Sequence, residues 1–125
     1  MSVCELIHEE TARFDPRRLE RLCGEIGEDR AEHQAAEALD RINRALKGIE
    51  RLGETQHRAR LMARLAELIE ASDKIGMSTL GRVARDVRYC ARKADPNALA
   101  ATLCRLERVG DRSIHAIFDL EGQHV

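Results

Sequence analysis

Apolar residues recur at steps of three and four along most of the chain, the spacing that places them on one side of an α-helix. The clearest case is the stretch 29–52, which Gly53 follows. Charged residues fill the positions between the apolar ones. The pattern predicts a long amphipathic helix that packs in a helical bundle, and its inward positions are Ala35, Leu39, Ile42, Leu46, Ile49 and Leu52.

Two shorter helices are predicted before it. Asp15-Pro16 supplies an N-cap carboxylate and a proline at the first helical position, and Gly27 ends the helix that follows. Its inward residues are Leu19, Leu22, Cys23 and Ile26. Residues 2–11 predict a brief additional helix at the N-terminal end, with Val3, Leu6 and Ile7 inward.

Three helices are predicted after it. The third spans about 55–74, the fourth is N-capped by Ser78-Thr79, and the last follows a second cap at Asp95-Pro96 and runs to Leu120. Gly110 lowers the helix propensity of the last one by about 1 kcal/mol, so a bend is expected there. The fourth helix should place Leu80, Val83, Ala84, Val87 and Cys90 inward.

The third helix contains one position that departs from its pattern. Its predicted core line is Leu61, Leu65, Leu68, Ser72 and Ile75. The opposite line is charged except at Ala71, where a small apolar residue has no packing reason to stand. This expected exposed line is Arg60, Arg64, Glu67, Ala71 and Lys74.

Composition supports one all-α domain with a core from about residue 15 to residue 120. Hydrophobic residues make up 43% of the 125 residues but aromatic residues only 2%, so the core must consist of aliphatic side chains. The 21 basic and 22 acidic residues nearly cancel, so no global field attracts nucleic acid or a membrane. An electrostatic partner would have to be recognised locally.

The spacing of the cysteines and the hydropathy of the chain bear on metal binding, thiol oxidation and location in the cell. Cys4, Cys23, Cys90 and Cys104 form no C-x-x-C pair, so we expect reduced thiols and no zinc site, with Cys90 and Cys104 as small core residues. No leader-like segment opens the chain, and no apolar run approaches the roughly 18 residues of a membrane span. We expect a cytoplasmic protein with no cofactor and no metal.

The turn between the third and fourth helices carries a short motif. Lys74, Leu80 and Gly81 stand at the spacing of the H-x-x-K-G motif and its closing Leu-Gly in histidine phosphotransfer (HPt) domains, which this chain resembles. Ala71 occupies the histidine position and Ile75 the first glycine. The resemblance implies an up-down four-helix bundle with a short extra N-terminal helix. It also implies a role in bacterial two-component phosphorelay.

A second alignment of the motif is open. Arg44-Ala45-Leu46-Lys47-Gly48 resembles its H-x-L-K-G core, but Gly53 comes one residue early for the second glycine. Arg44 then takes the histidine position. Phosphoryl relay needs an exposed imidazole as nucleophile, so in both alignments the family's acceptor is absent. The resemblance therefore implies a module that binds receiver domains without phosphotransfer at the usual position.

The implied partner is the receiver domain of a response regulator or a hybrid kinase. We expect it to contact the exposed side of the third and fourth helices, where Ala71, Ile75 and Met77 would form an apolar centre. Ala71→Asp should then weaken receiver binding without unfolding the chain. Arginines at 82, 85, 88 and 92 would suit an acidic patch. The predicted interface is Arg64, Glu67, Ala71, Lys74, Ile75, Met77, Ser78, Arg82 and Arg85.

Two other functions stay open from the sequence. One is active phosphotransfer through another histidine, although none has a lysine three residues later; the five are His8, His33, His57, His115 and His124. The other is a helical adaptor or homo-oligomer unrelated to phosphorelay, since helix bundles serve many functions. We expect a monomer or weak dimer that binds neither nucleic acid nor membrane.

Overall fold

A computed structural model of the chain describes residues 16–52 and 57–122. Over these two ranges the chain is helical, without a β-strand, which confirms the all-α prediction for them. The predicted helix at residues 2–11 and the cap at Asp15 lie outside the described residues. The helices are α1 (Pro16–Ile26), α2 (Glu28–Leu52), α3 (Arg58–Lys74), α4 (Ser78–Lys93) and α5 (Pro96–Gly122).

A single residue separates α1 from α2. Gly27 has a φ of 88°, in the left-handed region that favours glycine. Its N–H donates to the carbonyl of Cys23 at 2.9 Å, and its own carbonyl accepts from Ala31 at 3.0 Å. The predicted end of the first helix at Gly27 is confirmed, and α1 packs against α2. Leu22, Cys23 and Ile26 are half-buried.

The predicted stripe of α2 faces the core. Ile42 and Ile49 are buried, and the other four predicted positions are half-buried and pack against the core. Ala38 and Ala45 are buried as well, so alanines widen the buried side of the helix. On α3, which begins at Arg58, all five residues of the predicted core line are buried: Leu61, Leu65, Leu68, Ser72 and Ile75.

The two predicted N-caps that fall within the described residues have different outcomes. Asp95 Oδ1 accepts hydrogen bonds from the backbone N–H groups of Asn97 and Ala98, both at 3.1 Å, so this cap is confirmed. The Ser78-Thr79 cap is wrong. Met77 occupies the N-cap position of α4 without a side-chain bond, and its carbonyl accepts the first helical bond, from Gly81 at 3.0 Å.

Gly110 has a packing role. Helix α5 continues without a break through Gly110 to Gly122. A Cβ atom at position 110 would stand 2.8 Å from Leu46 Cδ1 and 2.9 Å from Leu46 Cδ2. Glycine therefore lets α5 approach α2 closely at this point, which offsets its low helix propensity.

Helices α2 to α5 enclose one aliphatic core. Consecutive helices pack on each other, and α2 also contacts α5 over a shorter stretch. The largest side chains with almost no exposure come from all four helices: Ile42, Leu65, Leu68, Leu80, Val83, Val87 and Leu106. None of the described helices combines the length and apolar character needed to cross a membrane.

Candidate functional site

The turn between α3 and α4 has a defined hydrogen-bonding pattern. Gly76 adopts a φ of 78°. The Met77 N–H donates to the carbonyl of Ser72 at 2.8 Å, and the Gly76 N–H donates to that of Asp73 at 3.3 Å. These two bonds form a Schellman motif, in which a left-handed glycine ends a helix and satisfies its last carbonyls. The motif places Met77 at the start of α4, which explains why Ser78 and Thr79 do not cap it.

An ion pair joins the two helices beside this turn. The two terminal guanidinium nitrogens of Arg85 donate to the carboxylate of Asp73. Nη1 donates to Oδ1 at 3.3 Å, and Nη2 donates to Oδ2. A Cβ atom at Gly81 would stand 3.0 Å from Asp73 Oδ1 and 3.2 Å from Arg85 Nη1. The glycine therefore leaves room for the pair. Bidentate geometry fixes the orientation of α4 relative to the end of α3.

The predicted apolar centre of the interface is not on the surface. Ala71 is 0% exposed, and Ile75 and Met77 are each 4% exposed. The expectation that Ala71 lies on the charged, exposed line is wrong. The reason is that α3 packs against both α2 and α4, so its buried sector is wider than one stripe. Because Ala71 is buried, we now expect Ala71→Asp to destabilise the fold, in contrast to the prediction from the sequence.

The polar members of the predicted interface do reach the surface. Arg64 donates to Glu67 at 3.3 Å along α3, and this pair is exposed. The remaining exposed members flank the turn or belong to α4; they are Lys74, Ser78, Arg82 and Arg85. The structure therefore shows exposed polar and charged side chains around a buried apolar turn. The predicted exposed apolar patch is not formed there.

The outward side of α4 is basic. Arg82, Arg85 and Arg92 are exposed, and Arg88 is half-buried. Tyr89 lies among them with 62% of its surface exposed, and the Lys93 Nζ stands 5.5 Å from the centre of its ring. Helix α4 contains five basic residues and one acidic residue, Asp86, a local net charge of +4 in a chain with a net charge of −1.

The two alignments of the phosphotransfer motif differ in accessibility. In the first, Ala71 is enclosed by the core, so the acceptor position has neither a nucleophile nor access to a partner. In the second, Arg44 is exposed and pairs with Asp40 at 3.0 Å. Gly48 in that alignment lies beneath Arg64, whose Nε would be 3.1 Å from an added Cβ.

The histidines and cysteines add no catalytic cluster. His33 Nε2 stands 3.2 Å from Glu37 Oε1, and the imidazole is 76% exposed. His57 and His115 are also exposed, while His8 and His124 lie outside the described residues. Cys90 is half-buried, but Cys104 is exposed, so its predicted core position is wrong. No group of three potential metal ligands comes together within the described ranges.

A groove that the sequence pattern did not predict lies between α2 and α5. Its volume is about 330 Å³, and its lining includes the aliphatic side chains of Leu46, Leu103 and Ile114. We call it the α2–α5 groove. The helical spacing of these apolar residues is visible in the sequence. The separation of α2 from α5 is not. Charged residues at the groove are Lys47, Glu50, Glu107 and Asp111.

Comparison of the chain with protein-family models, curated proteins and solved structures found no match.

Proposed function

We propose that this chain is a protein-interaction module of bacterial two-component phosphorelay. In this proposal it is an HPt-like, up-down four-helix bundle with a short extra N-terminal helix. It binds the receiver domain of a response regulator or hybrid kinase through the exposed sides of α3 and α4. The motif spacing of Lys74, Leu80 and Gly81 supports the choice of partner. The buried Ala71 supports binding without phosphotransfer at that position.

The observation that carries the proposal is the basic outward side of α4. Its exposed arginines supply a strong local positive charge on a nearly neutral chain. Such a surface accelerates association with an acidic partner and orients it. Helices α3 and α4 share the buried core, so the charges of both helices are presented in a fixed arrangement, and the Arg85–Asp73 pair adds one contact between their surfaces.

The test is binding of the full chain to the receiver domains of its host. Arg82→Glu combined with Arg92→Glu reverses two charges on exposed positions of α4. We expect this variant to weaken receiver binding at least tenfold at low salt, with an unchanged unfolding midpoint. The matched control reverses two exposed arginines of α5, Arg108→Glu and Arg112→Glu, and should bind normally. Failure of every receiver domain to bind the unmodified chain would refute the proposal.

The same reagents test phosphotransfer through another histidine. His33 is the described imidazole for which the structure shows a nearby carboxylate, that of Glu37. The chain is incubated with a phosphorylated receiver domain and assayed for an acid-labile label. We expect no label. A label that His33→Ala removes would show relay at that residue, and this would replace a binding-only function with an enzymatic one.

A further inference from the structure

The α2–α5 groove is lined by half-buried aliphatic side chains that a partner could contact. Leu46 and Leu103 pack against the core from one side and line the groove on the other. Ile114 extends the lining along α5 and is also half-buried. A volume of about 330 Å³ lies in the range of pockets that hold ligands. The groove is therefore large enough to admit several aliphatic side chains.

The charged residues at the groove are mainly acidic, and their carboxylates can pair with a ligand. Glu50, Glu107 and Asp111 line it together with one basic residue, Lys47. None of the ion pairs found among the described residues involves any of these three carboxylates. Their charges can thus pair with a ligand without first breaking an internal contact. An occupant that suits the groove is apolar in its centre and basic at its edges.

We propose that the α2–α5 groove binds an amphipathic helix of a partner protein, with aliphatic residues facing the groove and basic residues beside them. A helix lying along two others presents anchors at steps of three, four and seven, which fit an elongated apolar groove. The site shares no residue with the α3–α4 surface proposed for receiver binding. The proposal is thus independent of that function and gives the chain a second docking site.

Charge and composition distinguish this partner from segments of the chain itself. Residues 1–15 contain Glu5, Glu9 and Glu10, so their charge opposes the acidic edge of the groove. Helix α4 of a second copy has the required positive charge. However, Tyr89 is the single large hydrophobic side chain exposed among the described residues, so α4 lacks aliphatic anchors. A basic, leucine-rich helix from another protein fits both requirements.

The binding test uses two synthetic helical peptides with the full chain. Both carry leucines at helical spacing, one with flanking lysines and the other with glutamates in their place. Fluorescence anisotropy should show saturable binding of the lysine peptide and at least tenfold weaker binding of the glutamate peptide. Cys104 lines the groove and is exposed, so its maleimide labelling, read by mass spectrometry, should slow when the lysine peptide is bound.

Two adjacent alanines of α5 provide a matched pair of variants. Ala100 lines the groove and is half-buried, whereas Ala101 is exposed and outside the lining. Ala100→Phe should fill the groove and reduce affinity for the lysine peptide at least tenfold. Ala101→Phe adds the same side chain and should leave affinity unchanged. Equal loss in both variants, or no loss in either, would overturn the proposed site.

Neutralising the acidic edge tests the electrostatic part. The triple change Glu50→Gln, Glu107→Gln and Asp111→Asn should weaken lysine-peptide binding about tenfold, because exposed ion pairs are individually weak. The control neutralises three exposed carboxylates elsewhere, at Glu20, Glu25 and Glu32, and should bind normally. Equal binding of both peptides would contradict the proposal. So would a dimer, detected by light scattering, that Ala100→Phe abolishes, because a second copy would then occupy the groove.

Discussion

A glycine at a close approach lies beside both the α3–α4 turn and the α2–α5 groove, but the two regions are closed to different degrees. At the turn, Gly81 leaves room for the Asp73–Arg85 pair, and the apolar residues beneath are almost completely buried. Beside the groove, Gly110 lies against Leu46, which is only half-buried. Glycine thus permits a close approach in both regions, but apolar side chains keep accessible surface only at the groove.

This difference separates stability from recognition. Apolar side chains at the turn contribute to the core, so only its charged residues remain for a partner. Apolar side chains at the groove retain exposed surface that a partner could remove from water, at roughly 25 cal/mol per Å². The turn should therefore respond to substitution mainly through unfolding, whereas the groove should respond mainly through binding.

The strongest test of this contrast is Ala71→Asp. A carboxylate at this fully buried position would be removed from water within the aliphatic core, so we expect a loss of about 3 to 5 kcal/mol in the free energy of unfolding, or failure to fold. Urea denaturation followed by circular dichroism measures it. Ala101→Asp, on an exposed position of α5, should change stability by less than about 0.5 kcal/mol. A stable Ala71→Asp variant would contradict the closed turn.

Truncation of leucines compares the two regions directly. Leu80, in the first turn of α4 beside the α3–α4 turn, is 1% exposed, so Leu80→Ala should lower the free energy of unfolding by about 2 to 5 kcal/mol through lost burial and a cavity. Leu103 faces the groove and is half-buried, so Leu103→Ala should lose only about 1 to 2 kcal/mol. Equal losses by urea denaturation would show that the groove is closed in solution.

Much of the helical framework could be predicted from the sequence. The stripes of α2 and α3, the end of α1 at Gly27 and the cap at Asp95 depend on local spacing and local hydrogen bonds, which a sequence displays. The sequence also indicated the basic side of α4, because its arginines repeat at helical spacing.

The remaining features depend on contacts between helices. The burial of Ala71 follows from the packing of α3 against two neighbours, and one helix's periodicity contains no information about the second neighbour. In the sequence, Gly110 indicated only a position of low helix propensity in α5. The structure explains the glycine, because an added Cβ atom would stand 2.8 Å from Leu46 Cδ1. The α2–α5 groove depends on the distance between two helices far apart in sequence. These are tertiary effects that override local propensity.

A smaller effect is expected from the ion pair at the turn. In a double-mutant cycle of Asp73→Asn and Arg85→Gln, we expect a coupling energy of about 0.5 to 1 kcal/mol, because the pair is partly exposed but bidentate. The coupling should fall as salt rises. The pair Asp40–Arg44 on α2 is more exposed and should give about 0.3 to 0.5 kcal/mol. If the coupling energy of Asp73–Arg85 is no larger than that of Asp40–Arg44, the pair at the turn stabilises the fold no more than an ordinary surface ion pair.

A small effect of the opposite sign is expected at Ser72. Ser72 is 0% exposed, and its Oγ has no hydrogen-bond partner. Because alanine removes this unsatisfied hydroxyl and favours the helix, Ser72→Ala should raise the free energy of unfolding by about 0.5 to 1 kcal/mol. Ser113 on α5 is 3% exposed and does have a polar partner, so Ser113→Ala should not stabilise. If urea denaturation shows that Ser72→Ala destabilises, the Ser72 hydroxyl has a hydrogen-bond partner that contributes to the stability of the turn.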